Sequence, residues 1–137
     1  MELKLNIRST KITDYEELKE WWNWHRFPPP NIELLDGLKY GLMVSYGGDN
    51  ICAGFIYFTN AKAYGMLEFI VSTYKIRDKV IRKKAIEFLI NCLKEVAKNN
   101  GVQYIWSSVR NENLIKHYLD CEFSIGSKKT TELICKL

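Results

Sequence analysis

The sequence is poor in most of the features that announce a special architecture. Of its 137 residues only 8 are glycine and 3 are proline, which excludes a collagen-like or low-complexity chain. No apolar run approaches the roughly 20 residues that a bilayer-spanning helix needs. The opening residues Met1 to Asn6 alternate apolar and polar, with no apolar stretch followed by small residues. No secretory signal is therefore predicted, and a cytoplasmic protein is expected. Cys52, Cys92, Cys121 and Cys135 form no Cys-x-x-Cys, and His25 and His117 are the only histidines. A structural zinc needs ligands grouped in close pairs, so no metal site is predicted and reduced, mostly buried thiols are expected.

What the chain does have is apolar bulk. Hydrophobic residues make up 47% and aromatics 13%, which excludes disorder. A chain of this length buries roughly 65–70% of its unfolded surface. With no repeat and no linker, residues 1–137 read as one domain.

Positive charge is confined to one place. Residues 75–84, Lys-Ile-Arg-Asp-Lys-Val-Ile-Arg-Lys-Lys, carry six basic residues and one acid, while the chain as a whole is +4. The rest of the protein is therefore slightly negative. That distribution argues against a nucleic-acid binder, which needs a broad basic face, and suits a compact anion such as a phosphate group.

Patterning along the chain predicts a mixed α/β sheet. Leu3, Leu5 and Ile7 alternate with polar residues as in a half-buried strand. Thr13 to Glu16 reads as a capping box opening a helix, which must stop by Phe27 because Pro28, Pro29 and Pro30 remove three amide donors. Strands are predicted over 40–46, 51–58 and 64–72, the first two joined by Gly47-Gly48-Asp49-Asn50. A helical stripe from about Val80 ends at Asn99-Asn100-Gly101. Val102 to Val109 follows as a strand, then a helix from Asn111 or Asn113, and Glu132 to Leu137 as a final strand. The long helix becomes a βαβ crossover. A strand running into a basic loop and then a helix outlines an anion site, because the helix N-terminus presents unpaired amides. Lys75, Arg77, Lys79, Arg82 and Lys83 surround that point.

Two motifs carry a resemblance. The strand Phe69-Ile70-Val71-Ser72-Thr73 precedes the basic loop, and Asn111-Glu-Asn-Leu-Ile-Lys-His-Tyr118-Leu-Asp-Cys-Glu-Phe123 lies near the C-terminus. From Ile7 to Leu137 the chain resembles the GNAT superfamily of acyl-CoA-dependent N-acetyltransferases, particularly the short single-domain versions. That family has hydrophobic-x-Val-x-Pro and a glycine-rich loop at the first motif, and Asn-x-x-Ala-x-x-x-Tyr-x-x-x-Gly-Phe at the second. Here Val71, Asn111, Tyr118 and Phe123 match, Thr73 replaces the proline, and no glycine lies between Gly65 and Gly101.

The resemblance implies a GNAT-like fold, an antiparallel meander plus a βαβ crossover. It also implies an enzyme that transfers an acetyl group from acetyl-CoA to a primary amine. Acetyl-CoA is then a co-substrate bound by Phe69, Ile70, Val71, Arg77, Lys79, Arg82, Lys83 and Asn111. An amine of pKa near 10 is only about one part in a thousand neutral at pH 7, so a base is useful, and Glu68 is the candidate. Main-chain amides around Ile70 and Val71 meet the acyl carbonyl, and Tyr118 reprotonates the leaving thiolate. The first helix and the loop after it border the acceptor side, which points to Trp21, Trp22, Trp24 and His25. Three tryptophans in four positions wrap around a helix, so at least one must leave the core.

A different class of function on the same fold is a catalytically degenerate module that docks a protein or another macromolecule. Two copies of an exposed aromatic strand such as Tyr104-Ile105-Trp106, or of the final strand, can pair across a homodimer. No membrane partner is expected.

Overall fold

The structure is a computed structural model that describes residues 3–137. One five-stranded sheet runs in the order β1 (Leu5–Ser9), β2 (Gly41–Tyr46), β3 (Asp49–Phe58), β4 (Tyr64–Ser72), β5 (Tyr104–Trp106). The first four strands pair antiparallel, and β5 lies parallel to β4. Helix α1 (Tyr15–Trp24) connects β1 to the meander, α2 (Lys79–Asn99) makes the crossover from β4 to β5, and α3 (Glu112–Asp120) follows.

Each face of the sheet has its own core. On one face Ala85, Leu89, Ile90 and Leu93 of α2 pack with Val44, Cys52, Ile56 and Leu67, joined by Tyr118 and Cys121 from the α3 segment. On the other, Leu18, Trp21 and Trp22 of α1 pack with Met43, Phe55 and Val71 and with Leu35 and Leu38 of the preceding loop. The spacing of each apolar stripe is that of a helix seated on a sheet. Gly47 and Gly48, with φ of 59° and 86°, make the β2–β3 turn, whose central residues both need positive φ.

The N-terminus of α1 departs from expectation. Asp14, and not Thr13, stands at the N-cap position, and its side chain makes no hydrogen bond to the α1 amides: its Oδ2 accepts from the Lys11 amide of the preceding turn at 2.8 Å, and Arg8 donates to both its oxygens at 2.8 and 2.9 Å. A guanidinium on β1 outweighs the local Thr–Glu pattern because a bidentate, charge-assisted pair is the stronger bond. At the other end Phe27 donates to the Trp22 carbonyl at 3.0 Å, and the helix stops before the three prolines.

The C-terminal part also departs. β5 has three residues where Val102 to Val109 was predicted, and Glu132 to Leu137 forms no strand. Tyr104 and Trp106 are 66% and 61% exposed on an edge that no described strand pairs, and Leu133 and Ile134 are exposed as well. A three-residue ladder offers too few partners to hold a sixth strand. The four cysteines are free thiols. No helix among the described residues is long and apolar enough to cross a membrane.

Candidate active site

The site is built where β4 is irregular and where its pairing with β5 ends. Phe55 faces Glu68 and Ala53 faces Val71, so Gly54 alone stands opposite both Phe69 and Ile70. That is a β-bulge, and Phe69 sits in it at φ 60°. Left-handed backbone at a non-glycine residue costs on the order of 1–3 kcal/mol and persists only where surroundings impose it. Here they do: the Phe69 ring meets Tyr57 edge-on at 6.3 Å. A Cβ on Gly54 would come within 2.9 Å of Ile70 Cγ1, so glycine is required opposite the bulge. A bulge takes a residue out of the ladder; here the displaced stretch is Phe69–Ile70, whereas Val71, the other predicted amide position, is paired with Ala53. The Val71 side chain itself is core.

Beyond the Met66–Trp106 pair the β4–β5 ladder stops. Glu68 reaches across that opening, and its Oε1 accepts from the Ser108 amide at 2.6 Å. One residue earlier, Ser107 Oγ donates to the Tyr118 hydroxyl oxygen at 2.8 Å. The two predicted catalytic groups, on β4 and α3, are thus joined by consecutive serines at the carboxyl end of β5. Burial raises the Glu68 carboxyl above its ordinary range and Glu132 adds to it, while the Ser108 amide and the Ser107 hydroxyl pull it back. Burial, aided by the charge on Glu68, raises the Tyr118 phenol, so it keeps its proton at neutral pH. Ser107 and Ser108 were not singled out from the sequence. A signal exists in hindsight: small hydroxyl residues at the carboxyl end of a parallel strand, where α/β sheets bind ligands.

The basic loop follows directly on the carboxyl end of β4, after Ser72. Thr73 is buried, its amide donates to the Ile51 carbonyl at 2.7 Å, and its Oγ1 accepts from the Lys75 amide at 3.2 Å. Ile76 packs on the α2 core. Two amides of the first α2 turn are not open, contrary to expectation: Asp78 Oδ1 accepts from Val80 at 2.9 Å and Ile81 at 3.2 Å. Lys75 lies 3.9 Å from Glu20, and Lys83 lies 4.0 Å from Asp120. Arg77, Lys79 and Arg82 have no ion pair among the described residues.

Asn111 is the N-cap of α3, its Oδ1 accepting from the Leu114 amide at 3.0 Å. On α1 the tryptophans divide. Trp21 and Trp22 are 2% exposed and belong to the core, whereas Trp24 is exposed. Consecutive Trp21 and Trp22 are both hidden because α1 lies in a trough between the sheet and the Leu35–Leu38 loop. The exposed His25 approaches the Ser72 carbonyl, at the end of the site where the basic loop begins.

No family profile and no curated protein sequence matches this chain. Solved structures do. Ard1 from Thermoplasma volcanium superposes with a TM-score of 0.72 at 12% identity, over 90% of this chain and 84% of that one. Diaminobutyrate acetyltransferase from Paenibacillus lautus, in complex with L-2,4-diaminobutyric acid and coenzyme A, gives 0.64 at 15% identity over 87% and 75%. N-acetylglutamate synthase from Neisseria gonorrhoeae, complexed with coenzyme A and N-acetyl-glutamate, gives 0.62 at 10% identity over 78% of this chain. Of that last protein the chain spans about a quarter, 26%. The fold is that of the GNAT acetyltransferases.

Proposed function

We propose that this chain, built on the GNAT fold, is an N-acetyltransferase that uses acetyl-CoA to acetylate a primary amine. The observation that carries the reading is the Glu68–Ser108 and Ser107–Tyr118 linkage beside the β4 bulge. It sets a carboxylate of raised pKa and a protonated phenol within one opening. Fold likeness to coenzyme A complexes supports the donor.

The residues fit the coenzyme with one qualification of design. Arg77, Lys79 and Arg82 would hold its diphosphate, and Asn111, through the amide group left over from capping, its thiol arm. Because Asp78 occupies the Val80 and Ile81 amides, charge on side chains replaces much of the backbone contribution. When bound, the coenzyme supplies an acetyl group activated as a thioester. Glu68 takes the proton of the incoming ammonium, directly or through water, and burial has moved its pKa toward the range a base needs. Amides freed by the bulge at Phe69 and Ile70 donate to the acyl oxygen as negative charge develops there. Tyr118 returns a proton to the departing sulfur.

On the side of α1, Trp24 and His25 lie against Tyr74 and Ser72 and are the candidates for contact with the acceptor, while Trp21 and Trp22 are core. Free thiols at all four cysteines fit a reducing cytoplasm. The direct test is release of free thiol from acetyl-CoA in the presence of a panel of primary amines. The reading expects amine-dependent release that is lost in Glu68→Gln and Tyr118→Phe. Binding of CoA with no release for any amine supports the docking module instead.

A further inference from the structure

Helix α1 and the basic loop, far apart in sequence, are joined side chain to side chain. The Trp24 and Tyr74 rings stack with centroids 5.0 Å apart and planes within 6° of parallel. The Tyr74 hydroxyl donates to Glu20 Oε1 at 2.6 Å, and that same oxygen lies 3.9 Å from the Lys75 ammonium. Beside the stack, His25 Nε2 is 2.8 Å from the Ser72 carbonyl oxygen. A carbonyl only accepts, so this nitrogen is the protonated one. The seam therefore ties the C-terminal half of α1 to the Ser72 carbonyl and to the Tyr74 and Lys75 side chains.

Core burial does not account for Trp24, which is 57% exposed. Its ring is ordered by Tyr74 on its face and by the His25 edge, 5.1 Å away at 83°. Stacked aromatics contribute beyond the area they bury, and here the contact runs to the one segment that bears the chain's positive charge.

We propose that Trp24 and Tyr74 are positioning residues: they clamp the start of the basic loop to α1 and thereby hold Arg77 and Lys79 ready for the coenzyme's diphosphate. This inference rests on the acyl-CoA reading above. Its physical basis is that the loop lacks glycine and the Val80 and Ile81 amides of α2 are taken by Asp78, so the grip depends mainly on side chains. Side chains on a wandering backbone converge poorly, and ordering that backbone on binding costs entropy for every residue fixed. A loop already fixed by the clamp does not lose that freedom again.

The test uses the full chain and CoA itself. In calorimetric titrations Trp24→Ala and Tyr74→Ala are each expected to weaken CoA binding by about tenfold, and Trp24→Phe to restore it. The double alanine variant is expected to weaken it no more than about twofold beyond either single, since both remove one contact. Amide exchange in the unliganded protein gives a reading that needs no ligand. Lys75, Ile76 and Arg77 should exchange about tenfold faster in Trp24→Ala, while the Leu18–Trp22 amides of α1 stay protected. Unchanged CoA affinity in the single variants, additive losses in the double, failure of Trp24→Phe to rescue, or unchanged loop exchange overturns the clamp. A wild-type protein that ignores CoA while Trp24→Ala still loosens the loop overturns the acyl-CoA reading and the ligand assigned to the clamp, leaving the mechanical contact established.

Discussion

Glu68 and Tyr118 stand on different elements, yet each is bonded to one of two adjacent residues, Ser108 at 2.6 Å and Ser107 at 2.8 Å. A rigid dipeptide at the end of β5 therefore sets the separation of carboxylate and phenol. Either group can be changed while the other stays in place.

Glu68→Gln should lower turnover by about a hundredfold or more, as loss of a general base does. The amide oxygen can still accept from Ser108, so the fold should hold. Wild-type activity should fall as pH drops through the raised Glu68 pKa, and the variant's residual activity should lack that acid limb. For stability the sign is opposite. A carboxyl whose folded pKa is raised favours the fold below its unfolded pKa, and that contribution is lost as pH rises through the folded value. Glu68→Gln should remove that loss, seen as a flatter dependence of unfolding free energy on pH.

Tyr118→Phe should lower turnover about a hundredfold with little change in CoA affinity. It removes the acceptor of the Ser107 hydroxyl, so about 1 kcal/mol of stability goes with it. Ser107→Ala breaks the same bond and leaves the phenol. It should reproduce the stability loss in denaturant unfolding while retaining most activity.

Asp78→Ala should separate stability from affinity. Loss of the N-cap costs about 1 kcal/mol in thermal or denaturant unfolding. It also removes a negative charge beside the loop and opens the Val80 and Ile81 amides to an anion. CoA is expected to bind several-fold more tightly to this less stable protein, read by calorimetry. Weaker binding would show that Asp78 supports the phosphate site by ordering it.

Arg8→Ala tests the junction of β1 and α1. The Arg8 guanidinium, bonded to Asp14, holds that carboxyl below its ordinary range against the opposing effect of burial. A depressed carboxyl stabilises the fold above its unfolded pKa, and that contribution is lost as pH falls through the folded value. Arg8 is partly solvated, so the loss expected at pH 7 is about 1 kcal/mol. The difference from wild type should vanish in acid, as measured by unfolding across pH.

Much of this was legible in the residues. The limits of β4 follow from its apolar run and the basic residues after it. The α2 stripe from Ile81 to Ala97 fits one face, and Asn111 marks the start of α3. What misled was information that is not local. Thr13 reads as a cap, but Asp14 takes the N-cap position, and its carboxylate is committed to Arg8 from β1 and to the Lys11 amide. The apolar residues Leu133, Ile134 and Cys135 in Glu132–Leu137 say that a strand is feasible, not that a partner edge is long enough to take it. A helical wheel requires that one of three tryptophans leave the core, but only the trough beside Leu35 and Leu38 makes it Trp24. Ser107 and Ser108 carry no motif; they matter because the ladder ends at Trp106, opposite the point where Glu68 leaves β4.

Calorimetric titration of the wild-type chain with CoA, beside a variant carrying Arg77→Glu and Arg82→Glu, tests the central claim most directly. The account predicts one saturable site in the wild type and its loss on charge reversal, with thermal stabilisation of about 2.7 kcal/mol at a hundred times the dissociation constant. A flat titration of the wild type, or binding that the charge reversal leaves untouched, would contradict it.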